Sequence, residues 1–226
     1  MTNLTVYQIY DLLNRPRPLW LVKINLSETS LWMADLSECN LSWADLSRAD
    51  LSWANLIKSN LSRANLTFAN FYEAHLTLAN LIETNMTRAN FTRANLDKAN
   101  LYHAVMVEAN LSRANLSRAN LDQSNLTGAI LARADLSKAD LVGSNLNGAN
   151  LTYANFFEAN LEGVDFRSAN LEKADLTGAN LAKANLQGAN ITDVDLTDVI
   201  TTDAILPDVK KQGGKVPAPA PQPPIS

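Results

Sequence analysis

Ala114-Asn115-Leu116-Ser117-Arg118-Ala119-Asn120-Leu121 decides the fold, because its five-residue step recurs along most of the chain. Counting outward from Leu116 in fives, every position from Leu26 to Leu196 is apolar: 35 consecutive centres, 28 of them Leu and the rest Phe, Met or Ile. Two residues before the centre, 26 of the 35 positions are Ala; one residue before it, 31 are Asn or Asp. A helix needs its apolar stripe every 3.6 residues and a strand every 2.0, so a period of five fits neither. It fits a short extended segment followed by a corner. Ala and Leu, two apart, then point to one side, while Asn or Asp faces out beside a turn, where its side chain bonds nearby backbone. A chain that turns the same way at every corner coils, and its coils stack about 4.8 Å apart through backbone hydrogen bonds.

Runs such as Ala114-Asn115-Leu116-Ser117-Arg118 and Ala174-Asp175-Leu176-Thr177-Gly178 resemble the pentapeptide-repeat family, in its uninterrupted, Leu-centred, cyanobacterial form. The resemblance implies an all-β fold, a right-handed quadrilateral parallel β-helix with four repeats per coil, about nine coils and a length of about 40 Å. Three parts follow: residues 1–20 as a capping helix and linker, 21–206 as the β-helix and 207–226 as a disordered, Pro-rich tail. The spacing of Val6, Ile9, Tyr10 and Leu13 predicts the helix over residues 3–13, with Asn3 as its cap and Pro16 and Pro18 ending it. Such a lid covers the open edge that a solenoid would otherwise expose. Val199-Ile200-Thr201 and Ala204-Ile205-Leu206 keep the phase with poorer residues before Pro207 stops it.

Composition narrows the functional classes. A net charge of −4 implies no dedicated partner class, and the lone Cys39 sits at a small interior position as an inert filler. The first thirteen residues contain no Lys or Arg, and no apolar run approaches the ~18 residues of a membrane span, so a cytoplasmic location is the expectation. His75 and His103 fall on different faces of a four-sided coil with no Cys or second His beside them, so no metal site is expected. Asp35, Asp45, Asp50, Asp135, Asp140, Asp165, Asp175 and Asp195 share one corner position with Asn, which cannot carry a proton for catalysis. Gly128, Gly143, Gly148, Gly163, Gly178 and Gly188 fall singly at corners and form no phosphate loop. Neither an enzyme nor a cofactor is expected.

What remains is the outward surface. Placing residues 20 apart on one face puts Met33 and Trp53 on one face in adjacent coils with Trp32 beside them, while Trp43, Phe68, Leu78 and Ile57 point outward on other faces of the first three coils, together a candidate interaction surface. Either the N-terminal helix and Trp20 cover it or a partner does. The same register stacks Arg93, Arg113 and Arg133 in one row and Lys98, Arg118 and Lys138 in the next. Like charges about 5 Å apart repel by roughly 0.8 kcal/mol even in water, so the fold gains nothing from such rows. They suit either a solvated face relieved by Asp97, Asp135 and Asp140 or an acidic protein partner. No aromatic residues interleave them, so nucleic acid is not expected. The leading expectation is a non-enzymatic scaffold for an unidentified protein. The alternative that the resemblance implies is a gyrase-binding mimic of DNA, from which the basic middle and the Leu-rich centres depart. The chain is expected to be a monomer or, as the resemblance implies, a homodimer joined end to end through Val199, Ile200, Ile205 and Leu206.

Overall fold

The computed structural model describes residues 5–207. From Trp20↔Asn40 to Asn185↔Ile205, residues bridge in parallel to partners 20 positions ahead, so one coil takes four repeats. Every centre from Leu26 to Leu196 is at most 1 % exposed. The four rows of centres that begin at Leu21, Leu26, Leu31 and Leu36 name the four faces used below. With the core running as one thread along the axis, the chain is a right-handed quadrilateral β-helix.

Each corner closes in the same way. In the repeat of Leu116, the amide of Leu116 donates to Asp135 O at 2.7 Å and that of Arg118 to Ser137 O at 2.9 Å in the next coil. Asn115 N donates back to Ala94 O at 2.9 Å, and Ala119 N closes the turn on Leu116 O at 3.0 Å. Positive φ is confined to the third residue of that four-residue turn, the pattern of type II. Every such residue from Lys23 to Asp203 has φ between +53° and +72°, and 31 of them are not Gly. The left-handed region costs an L-residue roughly 1–2 kcal/mol. The coil-to-coil bonds on both sides of the corner hold it there regardless, and Gly148 at +66° is one of six positions where the cost is absent.

Asn and Asp perform the turn chemistry expected of them, with a direction that their interchange in the sequence conceals. Asn115 Oδ1 accepts from Ser117 N at 3.0 Å, and its Nδ2 donates to Asn95 Oδ1 at 3.2 Å in the preceding coil. Wherever this axial ladder forms, the donor is the later residue: Asn55 to Asp35, Asn90 to Asn70, Asn155 to Asp135, Asn180 to Asn160. Asp therefore serves as acceptor but cannot pass the ladder back. Cys39 is buried as expected, its sulfur accepting from Leu19 N and donating to Ser37 O, both at 3.4 Å.

The helix α1, Val6–Leu13, begins later than the spacing predicts, and its cap is Thr5 rather than Asn3. Thr5 and Gln8 form a capping box, Gln8 N donating to Thr5 Oγ1 at 3.3 Å and Thr5 N to Gln8 Oε1 at 2.8 Å. Asn3 lies outside the described residues. Ile9 is buried and Leu12 packs against the core, whereas Tyr10 faces out. Arg17 pairs with Asp35 and ties the linker to the coils. Residues 208–226, most of the expected tail, lie outside the described residues.

The Ala row contains buried hydroxyls. Thr84 Oγ1 donates to Leu81 O at 2.6 Å, but Ser59, Ser124 and Ser144 Oγ have no partner among the described residues. A buried unpaired hydroxyl costs about 1–3 kcal/mol. Ser124→Ala and Ser144→Ala, which restore the commonest residue of the row, are therefore expected each to raise the melting temperature by about 2–4 °C per kcal/mol recovered. A fall in melting temperature on either change would refute that account.

Candidate functional site

Among the described residues no group of three or more His, Cys, Asp or Glu could hold a metal ion. His75 bridges through its backbone to Asn55 and Asn95 in the coils on either side, and His103 sits edge-on to Tyr102 at 4.2 Å on another face. The two imidazoles are not brought together. A shallow recess of about 350 Å³ lies over Lys23, Ile24, Asn25, Trp43 and Asp45 beside the helical cap.

The aromatic set lies where the 20-residue register puts it. Trp32, Met33, Trp43, Trp53, Phe68 and Leu78 are 44 to 57 % exposed, and Trp20 is 78 % exposed. Coverage by α1 and its linker does not occur, because the helix packs through Ile9 and Leu12 on the end of the first coil and leaves the sides open. These residues divide among the faces: Trp43 on the Leu21 face, Phe68 on the Leu26 face, Trp32, Met33 and Trp53 on the Leu31 face and Leu78 on the Leu36 face. They form a belt around the rod, not one flat patch.

Cations and aromatics of successive coils interlock along this belt. Arg63 lies over Trp43 at 5.0 Å and chelates Glu83 through Nε at 2.9 Å and Nη2 at 3.3 Å. Phe68 is held between Arg48 at 5.4 Å and Arg88 at 5.9 Å. Trp53 meets Tyr72 edge-on at 6.2 Å. The Tyr72 hydroxyl and Arg93 together hold the Glu73 carboxyl below its ordinary range, and Arg63 does the same for Glu83. Locking neighbours in place fixes the aromatic rings without burying their outer faces, so little ordering entropy is left for a partner to meet.

The basic rows are partly neutralised. Arg93 pairs with Glu73 at 2.9 Å, Arg118 with Asp97 at 2.8 Å and Lys138 with Glu158 at 3.3 Å. Arg133 lies over Tyr153 at 5.1 Å. Lys98 and Arg113 enter no ion pair among the described residues. Asp97 supplies the relief anticipated for it, whereas Asp135 and Asp140 instead accept ladder bonds from Asn155 and Asn160. Glu73 and Glu158 are not among the partners named from the sequence, although the same 20-residue alignment sets them in line with Arg93 and Lys138. At the far end Ile200 and Ile205 are more than half exposed while Val199 is buried.

Fold and surface together define a β-solenoid whose core is uniform and whose variety is all on the outside. The pattern that describes pentapeptide repeats matches in 8 copies, over residues 23–63, 59–97, 94–131, 129–167 and 159–198. The chain belongs to the pentapeptide-repeat family. It is similar to HetL, a pentapeptide repeat protein involved in heterocyst differentiation regulation from the cyanobacterium Nostoc sp. strain PCC 7120. The two share 34 % identity over 90 % of this chain and 95 % of that one, with a TM-score of 0.46. It is similar also to a pentapeptide repeat protein of the Arabidopsis thaliana thylakoid lumen, at 38 % identity over 40 % of this chain and 66 % of that one and a TM-score of 0.34. The plasmid-mediated fluoroquinolone resistance protein QnrB1 matches at 17 % identity over 85 % and 92 %, with a TM-score of 0.35. No curated protein matches the chain. Among the described residues no helix is long and apolar enough to cross a membrane.

Proposed function

We propose that this protein is a non-enzymatic scaffold that works in the cytoplasm by presenting a rigid surface to another protein. The observation that supports this most is the aromatic belt of the first coils: Trp32, Met33, Trp43 and Trp53 stay open although a capping helix lies next to them. Large exposed apolar groups of this kind mark contact sites, and Trp dominates the energetics of interfaces. Arg63 from the next coil braces Trp43, and Arg48 and Arg88 from the coils on either side brace Phe68, so these rings are already in the conformation a partner meets. The basic rows at Arg93 to Lys138 serve as a second contact face, suited to an acidic protein surface.

Trp43→Ala combined with Trp53→Ala is expected to lose the partner that the wild-type rod captures, at a cost of about 2 kcal/mol or more in binding, about thirtyfold or greater. Because both side chains are exposed, the melting temperature of the variant should stay close to that of the wild type. The measurement is affinity capture followed by titration of the captured partner. Undiminished binding by the folded double variant would remove the aromatic belt from the proposal.

A further inference from the structure

The charges of the Leu36 face are segregated along the rod. Over the coils of Leu96, Leu116 and Leu136, this face and its two bounding corners present the six cations of the basic rows against Asp97 and Asp135. Over the coils of Phe156, Leu176 and Leu196, the same strip presents Glu158, Glu172, Asp175, Asp193, Asp195 and Asp198 against Lys173, which pairs with Glu172 at 3.8 Å. Lys98 and Arg113 in the first half, and Asp193 and Asp198 in the second, enter no ion pair among the described residues. At the junction of the two halves stand Tyr153, 48 % exposed, and Phe157, 37 % exposed.

We infer that the Leu36 face is a self-association surface and that its occupant is a second copy of this chain, laid antiparallel. A strip positive over three coils and negative over the next three is complementary to itself only when reversed. A two-fold axis in the plane of contact and perpendicular to the rod, between the coils of Leu136 and Phe156, sets the coil of Leu96 of one copy against the coil of Leu196 of the other. Each corner then meets the same corner of the second copy, so Lys98 faces Asp198, Arg93 faces Asp193 and Lys138 faces Glu158. The one like pair, Arg113 against Lys173, is offset by Asp175, which falls between Arg113 and Arg118. Exposed aromatics of both copies lie beside the axis. An apolar centre with a charged rim is the ordinary anatomy of an interface, and a closed two-fold contact leaves no sticky end to propagate. Six coils at about 4.8 Å and a face no wider than five extended residues give an upper bound of roughly 460 Å² per copy, or about 900 Å² in total. That lies at the low end for a specific complex, so the dimer is weak and its affinity falls with salt. The inference rests on the reading of the basic rows as a protein-contact face and places the acidic partner on the same chain.

Charge exchange tests it. Lys98→Glu makes one variant and Asp198→Lys the other; the two-fold axis repeats each altered contact, so one substitution per chain changes two pairs. Both positions are left-handed corners of a kind that holds Lys, Arg, Glu and Asp elsewhere in the rod, so both variants should fold, as circular dichroism will verify. In sedimentation velocity at low salt the wild type is expected to associate as its concentration rises, and each variant alone to bind itself at least about tenfold more weakly. An equimolar mixture of the two should recover association, because each reversed corner then meets an opposite one. A wild type that stays monomeric, or variants that associate equally well alone and mixed, would overturn the inference. So would a dimer that survives both reversals and disappears when the chain is cut after Asp198, since that is the end-to-end arrangement. Capture of an unrelated protein is read separately. If the wild type is monomeric yet loses such a protein on Lys98→Glu, self-pairing fails while the contact face stands. If capture is unchanged as well, both fail.

Discussion

Leu116→Arg is expected to abolish the cooperative thermal transition of the rod, or to lower it so far that the protein is largely unfolded at room temperature. Leu116 is fully buried, with Leu96 before it and Leu136 after it in the same row, all at most 1 % exposed. The side chains inside at that level are Leu and Ala apart from the Ser124 hydroxyl, so a guanidinium placed there has no counter-charge and most of its N–H groups have no acceptor. An unpaired charge in such surroundings costs several kcal/mol even after relaxation, on top of the lost burial of about 2 kcal/mol for the Leu side chain. Each coil is held only by its two neighbours, so one broken coil in the middle removes support from both halves. Circular dichroism during a thermal ramp reads the result. Retention of the wild-type melting curve by Leu116→Arg would show that the row does not point inward, and the assignment of core and surface would fall with it.

The neighbouring position sets the scale for comparison, and here the structure sharpens what the repeat suggests. Asn and Asp exchange freely along the sequence, which makes Asn115→Asp look neutral. Yet Asn115 donates to Asn95, and Asp135 stands one coil further on, so the change removes a ladder bond and stacks two carboxylates. A cost of about 1–2 kcal/mol follows, well short of the effect of Leu116→Arg.

The same contrast separates what the sequence makes legible from what it hides. The Leu and Ala rows are legible because burial permits few residue types there, and the Asn row because corner geometry rewards a short side chain that accepts from the amide two residues on. The helix is legible in place and type, but its start is not. Asn3 and Thr5 are both good caps, and the deciding signal is Gln8, three residues after Thr5. The left-handed corner is hidden for a physical reason. At an isolated turn φ near +60° selects Gly, but here hydrogen bonds to the coils above and below outweigh the strain, and Lys, Arg, Glu and Trp are all accepted. Residue type at that position therefore records surface use and not backbone need. The aromatic belt and the basic rows become visible only through the four-sided register, which comes from the family resemblance. The register sets Arg93 in line with Glu73, and Arg63 with Trp43 and Glu83, but which of these neighbours touch is decided by the side-chain geometry of the fold.

Phe91→Ala is expected to be the most damaging substitution that leaves no charge behind, costing about 3–5 kcal/mol. Phe71 and Phe91 occupy the same row in consecutive coils, with ring centroids 4.6 Å apart and planes inclined by 5°. The coil spacing of about 4.8 Å places the two rings in contact face to face, so truncating one removes its own burial and also exposes the flat side of the other to an empty space. Backbone bonds to the coils on either side, Phe91 N to Asn110 O at 2.7 Å and Phe71 N to Asn90 O at 2.7 Å, keep the walls apart and limit collapse. Phe91→Leu is the discriminating control. Leu51, Leu111 and Leu131 fill this row in other coils, so a Leu side chain fits the wall and should cost under about 1.5 kcal/mol. The double change Phe71→Ala/Phe91→Ala should cost less than the two single changes added together, because the second truncation no longer breaks a stack. Urea titrations of the wild type and these variants, with Phe71→Ala alone among them, measure all of these differences. Equal losses for Phe91→Ala and Phe91→Leu, or strict additivity in the pair, would mean that this part of the interior is looser than a stacked row allows.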